Sequence, residues 1–307
     1  MTRRFIGRFA GRCIVLGATS LLGLASCMND QRVATLGVEP FVDGGNGVEG
    51  GATGNGGSAG SGDDASDGQY ADAGPPEHFG RIGPGQALPS ESSCAARVKR
   101  GSWEPRPDNG LYNQRVPSAS QLTPLATGMA KTGIGNELGK RVTGNFVGTT
   151  DEILQWASCK WGLDEDFVRA FAVQASNWRQ DEWRSWSASA TDCPPNAETR
   201  NAFGATECAS IYGILQISWR YHKTTWPMIH DSTAFNVDYA LGYVRSCFEK
   251  LSTWLENSPV GKAYVAGDEW GCVGAFYSGN WYDKDGSLYM KGVKDKLAAK
   301  PWTRADF

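Results

Sequence analysis

Residues 163–180 read LDEDFVRAFAVQASNWRQ. Within them Phe167, Val168, Phe171, Ala172, Ala175 and Trp178 recur in steps of one, three and four, the spacing that lines one face of an α-helix. Asp164, just ahead of the stripe, can accept a hydrogen bond from a free N–H of the first turn, so the helix is expected to begin there. A helix with one apolar face must bury it against something.

Candidate partners flank it in sequence. Upstream, Thr149 and Glu152 form a T-x-x-E capping box before Ile153, Leu154, Trp156 and Ala157, and Gly162 can take the left-handed conformation that ends a helix. Downstream, Ala234, Val237, Leu241, Val244, Phe248, Leu251 and Leu255 step by three and four, predicting a long helix from Ser232 to the breakers Asn257 and Pro259. A last short helix is expected over Ser287–Leu297, before Pro301. Strand-type alternation is nearly absent, so residues 149–307 read as a mainly α domain. Residues 94–148, with Pro105, Pro107, Pro117 and Pro124 and no sustained period, read as an irregular extension packed on that domain.

Three stretches, taken in order, resemble the soluble lytic transglycosylase and goose-type lysozyme group. The first is the quoted helix, which in that family ends in a Glu-Ser pair. The second is SIYGILQIS, residues 210–218, similar to the family's Ser-x-Gly-x-x-Gln turn. The third is GAFYSGNW, residues 274–281, in the place of the family's Ala-Tyr-Asn-Ala-Gly. The resemblance implies a lysozyme-like helical fold and peptidoglycan glycan strands as ligand, with no cofactor or metal. It points to Ser176, Trp178, Tyr212, Gln216, Tyr277, Asn280 and Trp281 as glycan-contacting candidates. The tryptophans could equally pack in the core, and Tyr212 could simply shape its turn.

One departure decides the chemistry. In the family, the glutamate of the Glu-Ser pair protonates the glycosidic oxygen; here the matching residue is Ala175, followed by Ser176. A methyl group has no proton to give, and loss of general acid catalysis costs about 10²–10⁴ in rate. Glu182 would share the face of Ala175 if the helix continued, but about 10 Å further along the axis. Asp181 points elsewhere by helical phase, whereas Asp192 and Glu207 sit in a cysteine-bounded loop that could fold over a groove. The sequence therefore predicts a glycan binder that has lost its general acid. The alternatives are an active glycan-cleaving enzyme, with another carboxylate or with Ala175 standing as a substitution for the acid, and an envelope scaffold. Asp283-x-Asp285-Gly286 opens like a calcium loop, but its twelfth position is Lys294 rather than Glu, so a plain turn is expected.

The rest of the chain suits an exported protein. Arg3, Arg4, Arg8 and Arg12 precede an apolar run from Cys13 to Leu24, too short for a bilayer span of about 20 residues. Residues 1–26 read as a signal ending in Leu24-Ala25-Ser26-Cys27, which resembles the lipobox of bacterial lipoproteins and implies acylation of Cys27. Residues 27–93 include GGNGVEGGATGNGGSAGSGDD, too poor in apolar surface to fold, and are expected to be a flexible tether reaching about 45 Å. All 12 tryptophans follow residue 100. Losing the signal removes four arginines and no acid, taking the net charge from −3 to −7; so acidic a chain is a poor nucleic-acid ligand. The lipid is the only membrane contact inferred, and the periplasmic face of the outer membrane is the expected location. Six cysteines remain, Cys94, Cys159, Cys193, Cys208, Cys247 and Cys272, an even set that implies three disulfides with 15 pairings open. The working assignment is Cys193–Cys208 and Cys247–Cys272, with Cys94 pinning the extension onto Cys159. No C-x-x-C pair occurs, and His78, His222 and His230 are scattered, which argues against zinc.

Overall fold

A computed structural model describes residues 78–123, 136–202, 204–257 and 260–307, all within one compact unit. The expected signal, Cys27, the tether as far as residue 77, Pro124 and Pro259 lie outside the described residues.

The domain is mainly helical. Its principal helices are α1 (Glu91–Arg97), α2 (Thr150–Trp161), α3 (Glu165–Ser176), α4 (Thr233–Phe248), α5 (Glu269–Ser278) and α6 (Lys284–Ala299). Helix α2 begins at the expected capping box: Thr149 accepts from the Glu152 N–H, and the Glu152 carboxylate accepts from the Thr149 N–H at 2.9 Å. It stops at Gly162, whose φ of 58° is left-handed. Helix α3 starts behind Asp164, which accepts from the Phe167 N–H at 2.9 Å.

Helix α2 packs on α3 and α4, and α6 packs on both α3 and α5. The shared core contains Trp156, Trp161, Phe167, Phe171, Phe235 and Phe248. Inside it Lys160 Nζ lies 2.8 Å from Asp238 on α4 and 2.7 Å from Glu91 on α1. Asp238 also accepts from Trp161 Nε1 at 2.7 Å and from the N–H groups of Thr143 and Gly144 at 2.8 Å each. A buried charge is tolerable only when so fully bonded, and this network ties the extension to two core helices.

Among the described residues, five short strands accompany the helices: β1 (Trp183–Arg184), β2 (Thr199–Ala202), β3 (Ala205–Cys208), β4 (Ile211–Tyr212) and β5 (Ile217–Ser218). They form an antiparallel sheet in the order β1-β4-β5, with Trp183 opposite Tyr212 and Tyr212 opposite Ile217, and a separate β2–β3 hairpin. Three disulfides join Cys94 to Cys159, Cys193 to Cys208 and Cys247 to Cys272, the working assignment.

Several expectations need correction. The long helix ends at Phe248 rather than near Asn257: Lys250 turns left-handed at φ 62°, and the Leu251 N–H reaches back to Ser246 O at 2.9 Å. Leu251 is consequently exposed, and Leu255 joins the core from a separate 3₁₀ turn. The last helix begins at Lys284, not Ser287. Asp283, expected in a plain turn, is its N-cap, accepting from the Gly286 N–H at 2.8 Å. Residues 78–93, expected in the tether, are docked. Phe79 is buried and its N–H donates to Glu165, while Ile82 N donates to Gly162 O at 3.0 Å. Helix α5 had no apolar stripe to announce it, because its neighbours cover it on more than one side.

Candidate functional site

Helix α3 stops one residue after Ala175 and the backbone turns sharply. Asn177 and Trp178 both take left-handed conformations, with φ of 55° and 64°. Such geometry costs a bulky L-residue about 1–3 kcal/mol and persists only where the surroundings impose it. Here they do. Trp178 Nε1 donates to Arg169 O at 3.0 Å, its ring packs edge-on against Phe307 and Trp103, and its carbonyl accepts from buried Asn109 at 2.7 Å.

The turn between β4 and β5 lies opposite this helix end. Ser176 Oγ donates to Ile214 O at 2.8 Å, and Gln180 Oε1 accepts from the Ile214 N–H at 3.1 Å. Asn236 on α4 accepts from the Leu215 N–H and donates to Tyr212 O. Gly213 is obligatory: its φ is 80°, and a Cβ there would meet the Asn236 amide at 2.2 Å. Gln216 is left-handed too, and its amide nitrogen donates to Gly213 O at 2.7 Å and Glu182 O at 3.0 Å.

Between these elements and the end of α5 runs a cleft of about 710 Å³, within the range of small-molecule sites. Gln174 and Ala175 line it from α3, Arg184 and Ser185 from β1, and Leu215, Gln216 and Ile217 from the turn and β5. The α5 side supplies Ala275, Phe276, Tyr277 and Ser278, with Tyr289 of α6 behind them. Tyr221, His222, Tyr243 and Trp254 also line it. Tyr277 is 59% exposed and stacks on Tyr289 with centroids 4.3 Å apart and planes 7° from parallel. Burial raises the hydroxyl pKa of Tyr289 and Tyr243 above the ordinary tyrosine range and pushes His222 down to about 4, so the imidazole is neutral at pH 7. No family model, curated protein or solved structure matches this chain.

Of the residues singled out from sequence, Ala175, Gln216 and Tyr277 come together at the cleft. The others do not line it. Trp178, Tyr212 and Trp281 have 0% exposure and present no face to a ligand. Tyr212 donates its hydroxyl to Ala209 O, and Trp281 fills the space over Gly271, where a Cβ would meet its ring at 2.3 Å. Ser176 is buried and spends its hydroxyl on the turn. Asn280 is exposed just beyond α5, its amide turned to Ser278 O and Asp283.

The candidate replacement acids are paired with other side chains, and of those partners Arg184 alone lines the cleft. Because α3 ends at Ser176, the helical phase that placed Glu182 beyond Ala175 does not apply. Glu182 pairs with Arg184 at 3.0 Å, Asp181 with Arg179 at 2.8 Å and Glu207 with Arg200 at 2.8 Å, while Asp192 accepts from Ser187 at 3.1 Å. Among the described residues, no aspartate or glutamate lines the cleft. Sequence reasoning missed Arg184, Tyr221, His222, Tyr243, Trp254 and Tyr289 as lining residues. They come from separate elements, and no local spacing links them.

Proposed function

We propose that this chain is a lipid-anchored peptidoglycan-binding protein of transglycosylase-like ancestry, whose cleft holds a glycan strand without cutting it. The observation that carries the reading is the cleft wall itself: aromatic rings and neutral amides surround a methyl group at Ala175, with no carboxyl among the lining side chains. Aromatic faces and amides are what a sugar needs, since a pyranose offers apolar C–H faces and a rim of hydroxyls. Cleavage of a glycosidic bond needs in addition a carboxylic acid within hydrogen-bond reach of the leaving oxygen. Ala175 stands where the resemblance calls for that acid. The three disulfides suit an oxidising compartment outside the cytoplasm, in keeping with an export signal and an acylated Cys27 that hold the domain at the periplasmic face of the outer membrane.

The test is co-sedimentation of the purified protein with insoluble peptidoglycan, followed by chromatography of the supernatant. Retention in the pellet with no soluble muropeptides is the expected result. Muropeptide release above background would make the protein an enzyme, and a failure to sediment would point to a scaffold that has abandoned its cleft.

A further inference from the structure

The lining of the cleft has an electrostatic asymmetry that its aromatic character hides. Among the described residues that line it, Arg184 is the one charged side chain, since no aspartate or glutamate is among them and burial keeps His222 neutral. This occurs in a chain whose net charge is −3. The guanidinium is held by one edge only: Nε donates to Glu182 Oε1 at 3.0 Å, and among the described residues neither terminal nitrogen has a hydrogen-bond partner. Its position is set by β1, where Arg184 pairs with Ile211. Its charge is felt by the hydroxyl of Tyr289, beneath the exposed ring of Tyr277. Tyr277 and Arg184 thus line one cleft, and among the described residues both terminal nitrogens of the guanidinium are free, the fork that grips a carboxylate.

We propose that Arg184 makes the cleft selective for glycan bearing free carboxylates, an inference that rests on the glycan-binding reading above. In peptidoglycan the lactyl carboxyl of each muramic acid is normally tied into an amide with a peptide, and so carries no charge. It becomes a carboxylate where that amide has been hydrolysed, water giving its hydroxyl to the carbonyl carbon and a proton to the departing nitrogen. Stem peptides carry carboxylates of their own, but only the peptide-free strand presents one on the sugar itself; that strand is the ligand, and the reaction class that supplies it is amide hydrolysis upstream of binding. A methyl group at Ala175 and an anion-binding edge at Arg184 together describe a cleft that recognises stripped strands and leaves them intact.

The experiment compares three soluble ligands of matched length against the full-length protein: peptide-free glycan strands, the same strands with their carboxylates methyl-esterified, and neutral chitin oligosaccharides. Wild type should bind the free-acid strands about tenfold or more tightly than the esterified ones, the gap narrowing as salt screens the charge. In Arg184→Gln the ratio of acid to ester affinity should fall to about one, and Arg184→Lys should keep part of it. Because Arg184 is half-exposed and lies on the cleft rim, both variants should unfold at the wild-type temperature. Equal binding of acid and ester by wild type, or a preference that survives in Arg184→Gln, overturns the proposal but leaves glycan binding standing. Binding to none of the three overturns both.

Discussion

Ser176 Oγ lies 2.8 Å from the carbonyl oxygen of Ile214, a single hydrogen bond that fastens the end of α3, next to Ala175, to the turn that carries Gln216. The same oxygen accepts from the Arg179 N–H at 3.0 Å, so one buried hydroxyl serves both sides of the cleft. Ser176→Ala takes the hydroxyl donor away from the buried Ile214 carbonyl, while the Arg179 N–H keeps the Ser176 carbonyl at 3.2 Å; an acceptor left unpaired in this way costs about 1–3 kcal/mol. Urea unfolding should show that loss, and glycan retention should weaken as the Gln216 wall loosens. A stability change below about 0.5 kcal/mol would mean that the bond contributes little.

Tyr277 and Trp178 should behave in opposite ways. Truncating exposed Tyr277 to alanine should cost less than about 1 kcal/mol of stability yet lower glycan affinity, because the stacking platform over Tyr289 is lost. Trp178→Ala removes a fully buried ring and should cost about 3–5 kcal/mol. Parallel unfolding and binding curves check the contrast; a Tyr277→Ala variant with unchanged affinity would remove the platform from the site.

Ala175→Glu puts a carboxyl at a position only 3% exposed. Desolvation favours its neutral form and raises its pKa. The folded variant then holds a proton that the unfolded chain has released, so its stability deficit relative to wild type should be small at pH 4 and grow towards pH 8. On the proposed function the variant should also begin to release muropeptides. Thermal unfolding against pH and chromatography of digests provide the two readouts.

Two wild-type groups should imprint opposite slopes on the pH–stability curve. Burial lifts the Glu269 carboxyl to about 7, against the opposing pull of Arg81 at 3.4 Å. Its folded form holds more protons than its unfolded form between about 4.5 and 7, so this contribution is full at low pH and is lost as pH rises through that window. His222 sits at about 4 when folded against 6.5 when free, so its contribution is present above 6.5 and is lost as pH falls towards 4. Glu269→Gln should remove the falling slope and His222→Gln the rising one, as read by melting temperature from pH 4 to 8.

The disulfides should differ in value. The Cys94–Cys159 bridge closes 65 residues and Cys193–Cys208 only 15. On loop entropy alone these amount to about 4 and about 3 kcal/mol. Replacing Cys94 and Cys159 together by alanine should therefore destabilise the domain more than replacing Cys193 and Cys208. The reverse order in urea would show that strain or residual unfolded-state structure outweighs chain entropy.

The helices that announced themselves did so through local chemistry. Thr149, Glu152, Asp164 and Gly162 each act on backbone groups within four residues, so their roles were readable without knowing the fold. Where the neighbours are distant, the reading failed. The stripe through Leu251 and Leu255 kept its period past the true end of α4, because Lys250 turns the chain and no spacing announces that. Trp178 sat on the stripe of α3 and looked like a sugar platform, but Trp103 and Phe307, from far along the chain, enclose it.

By itself, the sequence determined that the domain is mainly helical, that six cysteines were free to pair, and that alanine occupies the position where the resemblance calls for an acid. These follow from residue identity and from interactions that span a turn or less. Only the tertiary structure decided which aromatic rings are buried and which line a cleft, that residues 78–93 are docked, and that Arg184 and Tyr289 line the same cleft. Those are relations between residues as far apart in the chain as Arg81 and Glu269, which are 188 positions apart. They are set by how helix faces and one small sheet pack together, for which a linear pattern carries no signal.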